Sequence, residues 1–219
     1  NVHAGIHGYI FKRNNRESIL PDDQNPYYDE HSRKDEMSMF GKMDYSVGKM
    51  HLYGDVQLRT LRYTIEPDER LLPGEADVVK KWTFVNPRIG LSYDLNKRSH
   101  LYLSYGRSGR EPTRVDLLGG FQLNEGNLPS LRRGDVKPEF VNDFEGGVRF
   151  RSASFAGSIN GFYMLFNNEI APIGAYVPEG FIQLRKNVPR SFRRGVELDW
   201  NWQIVRGLEF GGNATYMHS

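Results

Sequence analysis

Residues 82–110 read WTFVNPRIGLSYDLNKRSHLYLSYGRSGR and hold two alternating strands joined by a short polar turn. Val85, Pro87, Ile89, Leu91 and Tyr93 share one face, and Asn86, Arg88, Gly90, Ser92 and Asp94 share the other, a strict period of two. After Asn96, Lys97, Arg98 and Ser99 the apolar face resumes through Leu101, Leu103 and Tyr105. A soluble sandwich produces the same alternation, so the hairpin alone leaves the class open. Its polar face narrows the choice, because Arg88, Asp94 and several small residues suit a wet surface better than a second packed sheet. A membrane barrel is built that way: outward residues meet lipid, inward residues meet water or a plug, and the strands run to roughly 9–11 residues across the bilayer.

The pattern continues on both sides of this hairpin. Val2, Ala4, Ile6 and Ile10 alternate with His3, Gly5, His7 and Tyr9. Met37 to Val47 and Met50 to Leu58 form a second hairpin about Gly48 and Lys49, Phe144 to Phe150 and Phe155 to Leu165 a third, and Val196 to Trp202 and Leu208 to Tyr216 a fourth. Between these hairpins lie four long segments, at Lys12–Asp35, which is polar, Glu66–Lys80, Glu111–Pro138 and about Ala171–Pro189, expected as loops, the last with a short strand at Phe181–Arg185. Connections alternate long and short. In an up-and-down barrel that sorts every short turn to one rim and every long loop to the other, as in outer-membrane barrels; a Greek-key sandwich has no reason to keep such an order. Tyr45, Tyr93, Phe150, Phe155, Trp200, Trp202 and Tyr216 stand near strand ends, where an interfacial girdle is expected. The fold expected is therefore all-β, an antiparallel up-and-down transmembrane β-barrel segment of about nine or ten strands.

Composition agrees and excludes several alternatives. The 219 residues include 23 Gly and 28 aromatics, with no Cys and a hydrophobic fraction of 38%. No run approaches the ~18 apolar residues of a transmembrane helix. The absence of cysteine removes disulfide scaffolds and thiolate metal sites. A net charge of +2, from 29 basic and 27 acidic residues without a long basic run, gives nucleic-acid binding no electrostatic support. Neither end carries a signal-like or terminal-strand pattern, so the chain is expected to be an internal piece of a longer one.

The segments PRIGLSYDLN, LYLSYGRSGREPTRVDLL, VKPEFVNDFEGGVRF and RRGVELDW, in this order, resemble the barrel of TonB-dependent outer-membrane receptors. The resemblance covers most of Phe84 to Tyr216 and is weaker before Trp82. It implies a larger plugged barrel of about 22 strands, with residues 1–219 a part of it and the plug and remaining strands absent. It further implies the bacterial outer membrane, with its lipid around the barrel, and import of a scarce nutrient, by default an iron chelate (siderophore). Energy would come from the TonB protein through the missing N-terminal part, and a surface lipoprotein is a further partner class. No resident cofactor, bound metal or catalytic residue is expected. Two rivals stay open: a non-transporting barrel that acts as an adhesin or channel, and a secreted β-sandwich or solenoid binding module.

Candidate chemistry is sparse. His3 and His7, roughly 13 Å apart on a strand, are too distant for one ion, and His31 is the better haem-ligand candidate. Met37, Met39 and Met43 fall on the lipid face by parity. GRSG at 106–109 lacks the second spacer of a hydrolase elbow, and no HExxH or P-loop appears. Phe162, Met164 and Phe166 break the pattern by placing apolar side chains on the inward face near the long-loop rim, where they meet ligand, plug or an infolded loop. Arg110 and Arg114 stand at the same rim, and their forks suit carboxylate or catecholate oxygens as well as loop ion pairs. Tyr27, Tyr28 and Tyr176 are loop aromatics suited to flat or sugar-like ligands.

Overall fold

The computed structural model describes residues 1–17, 28–119, 123–177 and 182–219. Nine strands follow one another in sequence order in one antiparallel sheet: β1 (Val2–Glu17), β2 (Tyr28–Val47), β3 (Met50–Glu66), β4 (Val78–Asn96), β5 (Ser99–Arg110), β6 (Glu139–Arg151), β7 (Phe155–Val177), β8 (Ile182–Val205) and β9 (Leu208–His218). The only other regular elements among the described residues are two short helices between β5 and β6, α1 (Arg114–Leu118) and α2 (Leu128–Arg133).

Register places the alternating residues as period two requires. The rows Leu52↔Leu91↔Leu103↔Gly146↔Gly161↔Val196↔Tyr216 and Gly54↔Ile89↔Tyr105↔Phe144↔Tyr163 run across the sheet as a continuous apolar outer face. Most of its large side chains are exposed, Ile89 at 59% and Leu103 at 63%, as lipid-facing residues are when protein alone surrounds them. The four tight turns among the described residues, at Gly48–Lys49, Lys97–Arg98, Ser152–Ser154 and Arg206–Gly207, lie on one rim. Gly48 and Gly207 supply the positive φ (59° and 87°) that their turns demand.

Two of the expected loops are largely strand. β1 continues to Glu17 and β2 begins at Tyr28, pairing Arg13↔Ser32 and Asn15↔Glu30 inside the segment expected as the loop Lys12–Asp35. Likewise β7 and β8 run through most of Ala171–Pro189, with a register shift between Pro172 and Tyr176 at Gly174. The physical reason is common to both. Alternation marks only the part of a strand that has lipid on one side, and beyond the bilayer the ladder continues without one apolar face, polar on both sides in β1 and β2 and mixed in composition in β7 and β8. The other two segments keep their limits closely, with β3 ending at Glu66, β4 starting at Val78, and the β5–β6 connection spanning 111–138.

The apolar core lies in these connections rather than between two sheets. Ile65 and Val78 from the inner wall pack with Leu72 of the β3–β4 loop and with Leu117, Leu118, Leu123, Leu128 and Leu131 of the β5–β6 loop. That loop folds back inside the wall, touching β2 through Glu30 and approaching β8 through α1, so the sheet curves around it.

Candidate ligand-facing site

The infolded β5–β6 loop is held by local signals and by one distant partner. Thr113 and Asp116 form a capping box at the start of α1: the Thr113 hydroxyl accepts from the Asp116 N–H, and the Asp116 carboxylate accepts from the Thr113 N–H at 2.9 Å. Gly119 and Gly134 close the two helices in the left-handed conformation. The buried carboxylate of Glu30 on β2 accepts from Arg114 Nε at 2.6 Å, from Arg114 Nη2 at 3.0 Å and from the Leu123 N–H at 3.2 Å. Arg114 is therefore committed to a two-point ion pair that pins the loop to the wall.

Below the loop lies a balanced charge cluster. Glu111 takes hydrogen bonds from Lys34 of β2 and Arg59 of β3, and the Tyr9 hydroxyl of β1 donates to Glu36 at 2.9 Å. Arg59 also lies over the Phe84 ring at 5.0 Å. Burial is the largest single influence on the Glu111 carboxyl and pushes it up, but the hydrogen bond from Lys34 and the charges of Lys34 and Arg59 outweigh it and hold the group below its ordinary range.

Where β4 and β5 part, a side chain takes over from the ladder. Backbone pairing between them runs only up to Arg88↔Gly106, and beyond it the Asn86 carboxamide oxygen accepts from the buried Gly109 N–H at 2.9 Å. Gly109 is required there, because a Cβ would lie 2.2 Å from Phe84 Cδ1. The GRSG run is thus a point of close approach between strands.

The three apolar residues that break the pattern stand together on the inner wall of β7. Phe162, Met164 and Phe166 lie opposite Glu145, Asp143 and Val141 of β6, and opposite Gly195, Arg193 and Ser191 of β8. Gly195 leaves room for the Phe162 ring, whose Cζ would lie 2.7 Å from a Cβ there. Arg193 stacks its guanidinium 4.3 Å from the Phe166 ring centre and is ion-paired to Glu169, which also accepts from the Ser191 hydroxyl. Nearby, Glu139 accepts from Arg110 at 3.2 Å and from the Ile170 N–H at 2.7 Å. This wall offers apolar rings edged by arginines, a surface suited to flat anionic groups.

The remaining residues singled out by the sequence lie elsewhere. Tyr27 falls outside the described residues, as do the side chains of Tyr28 and Tyr176. His31 lies on β2 with its side chain 54% exposed and on the outer face, opposite in parity to buried Glu30 and Ser32, so it is not a loop residue and does not face the interior. Among the described residues no group of three or more His, Asp and Glu is set to hold a metal ion. Glu30, Arg59, Asn86, Glu169 and Arg193 carry no mark in the sequence. Each acts on a partner on another strand or in a distant loop, as Glu169 of β7 and Arg193 of β8 act on each other.

The family model described as TonB dependent receptor-like, beta-barrel, matches residues 3–219. No curated protein matches the chain in sequence. Among solved structures, the copper transporter OprC is similar at 15% identity with a TM-score of 0.76, over 99% of this chain and 34% of that one. The ferric-catecholate import receptor Fiu from E. coli K12 is similar at 14% identity and TM-score 0.65, over 99% and 32%. The ferric yersiniabactin uptake receptor FyuA from Yersinia pestis follows at 14% and 0.64, over 99% and 31%. At such identities the likeness is one of fold, and the chain spans about a third of the length of these structures.

Proposed function

We propose that this chain, which belongs to the TonB-dependent receptor β-barrel family of the bacterial outer membrane, forms nine strands of a larger plugged barrel that binds a scarce nutrient on its long-loop side and imports it with energy from TonB. The cargo we assign is an iron chelate. The observation that carries this reading is the inner wall at the long-loop rim, where Phe162, Met164 and Phe166 stand beside Arg193 and Arg110. A ferric chelate with anionic oxygens on flat rings matches such a surface: the rings lie on apolar faces and the oxygens meet arginine forks. Iron chelates are also what the names of FyuA and Fiu give for those proteins. The infolded β5–β6 loop supports the same reading, because it narrows the interior at the rim by which a ligand enters.

The test is growth of the source organism on ferric chelates as sole iron source, with the full-length gene deleted and then restored as wild type or as Phe162→Ala/Phe166→Ala. Loss on deletion, rescue by wild type and poor rescue by the double variant support the proposal. Unchanged growth on every chelate after deletion, in a strain without a second receptor, rejects the iron cargo. Growth that depends on the gene but not on its energy-coupling partner points to a passive channel.

A further inference from the structure

The outward residues of β1 to β5 change character at one level. Going toward the long-loop rim, the outward series ends in Ile10 then Lys12 on β1, in Leu58, Thr60 then Arg62 on β3, in Val85, Thr83 then Lys81 on β4, and in Tyr105 then Arg107 on β5. On β2 Met37 is followed by Asp35 and Arg33, which pair with each other at 2.8 Å. All of these cations are exposed, and among the described residues Lys12, Arg62 and Lys81 have no ion-pair partner. The chain as a whole is nearly neutral, so this edge is locally far more basic than the composition implies.

The same level carries a groove of about 800 Å³ on the outer face. Its floor is a register row of small and flexible residues, Gly8↔Met37↔Thr60↔Thr83, and its upper edge is the row Ile10↔Asp35↔Arg62↔Lys81. Below it the row Ile6↔Met39↔Leu58↔Val85 is wholly apolar. An apolar channel that opens at its top onto Arg62 and Lys81, cations without an ion-pair partner among the described residues, has the polarity of a lipid whose headgroup is a phosphate. Acyl chain and headgroup would meet the surface in that order.

We propose that this outer groove holds a membrane lipid by its phosphate, with Arg62 and Lys81 as the principal contacts and Lys12 and Arg33 flanking them. The occupant is a phosphate-bearing lipid of the leaflet on the long-loop side, not cargo, since the groove opens outward through the wall's lipid face. Cations beside an anionic bilayer surface each contribute on the order of a fivefold gain in binding. Asp35 opposes this by occupying Arg33.

The experiment is native mass spectrometry of the full-length receptor released from detergent, titrated with phosphatidic acid, with phosphatidylcholine of the same acyl chains, and with inorganic phosphate. Retention of phosphatidic acid well above phosphatidylcholine is expected. Arg62→Gln/Lys81→Gln should weaken it by roughly 25-fold, about fivefold per cation, and Asp35→Asn should strengthen it, both without change in cargo binding. Raising the salt concentration should release the lipid from the wild type, a readout that needs no variant. Equal retention of the two lipids, or no response to the charge variants and to salt, overturns the proposal. Inorganic phosphate that binds the lipid-free receptor as tightly as phosphatidic acid makes the site one for a free anion and overturns it equally.

Discussion

Arg114 and Glu30 lie 84 residues apart in sequence and meet as a two-point ion pair, with Arg114 Nε 2.6 Å from Oε1 and Nη2 3.0 Å from Oε2 of a carboxylate that is 2% exposed. The pair fastens the infolded β5–β6 loop to β2, and the Leu123 N–H completes the carboxylate's shell. Removing one partner of a buried pair leaves an uncompensated charge and costs about 3–5 kcal/mol. Arg114→Ala is expected to release residues 111–138 from the inner wall. Limited proteolysis and hydrogen exchange of the full-length receptor should show new cleavage and fast exchange in that segment, while the strand ladders stay protected. Glu30→Gln combined with Arg114→Met removes both charges and should recover a large part of the protection.

The place where β4 and β5 part is sensitive to a single methyl. Gly109→Ala puts that methyl 2.2 Å from Phe84 Cδ1, on a ring that is 1% exposed and packed against Phe140. Phe84 is buried between Phe140 and the Arg59 guanidinium, so overpacking of about 1–3 kcal/mol is expected. Asn86→Ala leaves the Gly109 N–H without its acceptor and costs about 1–3 kcal/mol by a different route. Urea unfolding in detergent, followed by the gel shift between folded and heat-unfolded barrel, measures both. Two variants as stable as wild type would mean that the strands close up without this contact.

The β3–β4 loop carries a pH-sensitive lock. Asp68 accepts from the Asp29 N–H at 2.7 Å and from Arg70 N–H and Nε at 3.0 and 2.9 Å. The hydrogen bonds from Arg70 hold its carboxyl at about 2, against a partial opposing push from burial. Since the folded value is below the ordinary carboxylate value of ~3.9, the stabilisation is complete above that value and is lost as pH falls toward about 2. Hydrogen exchange at the loop, compared between pH 5 and pH 2, should show it loosen in the wild type. Asp68→Asn should be loose at both, with little further change.

The membrane part of this fold is written in the sequence because lipid on one side and a wet interior on the other enforce alternation, as from Ile89 to Tyr93 and from Leu101 to Tyr105. The same physics hides the rest. Lys12↔Arg33 and Asn14↔His31 on the outer face, and Arg13↔Ser32 and Asn15↔Glu30 on the inner face, are all polar ladder pairs, so period two carries no hydropathy signal there. The helices of the β5–β6 loop did leave marks, in Thr113 with Asp116 three residues on, and in Pro129 with Gly134. Nothing local distinguishes Glu30, whose partner is in another loop, or Asn86, which reads as one more polar residue on a wet face. At the candidate site the inward parity of Phe162, Met164 and Phe166 is legible. The stacking of Arg193 on Phe166 is not, because it depends on the register of β7 against β8.

That stacked pair separates two ways in which the proposed cargo would be recognised. Arg193 is held flat on Phe166 by Glu169, which fixes the fork's plane before any ligand arrives. A lysine keeps the charge but has no plane to stack and no second fork. Arg193→Lys in the full-length receptor is therefore expected to weaken binding of the ferric chelate about fivefold, from a stacking contribution of ~1 kcal/mol. Arg193→Glu sets a carboxylate beside Glu169 and an anionic cargo and should abolish binding. Phe166→Leu keeps the wall apolar while removing the ring, and should match the lysine variant. Titration calorimetry on folded receptor reads all three. If Arg193→Lys binds as tightly as wild type while Arg193→Glu fails, charge alone recruits the cargo and the flat face of the arginine has no part in recognising it.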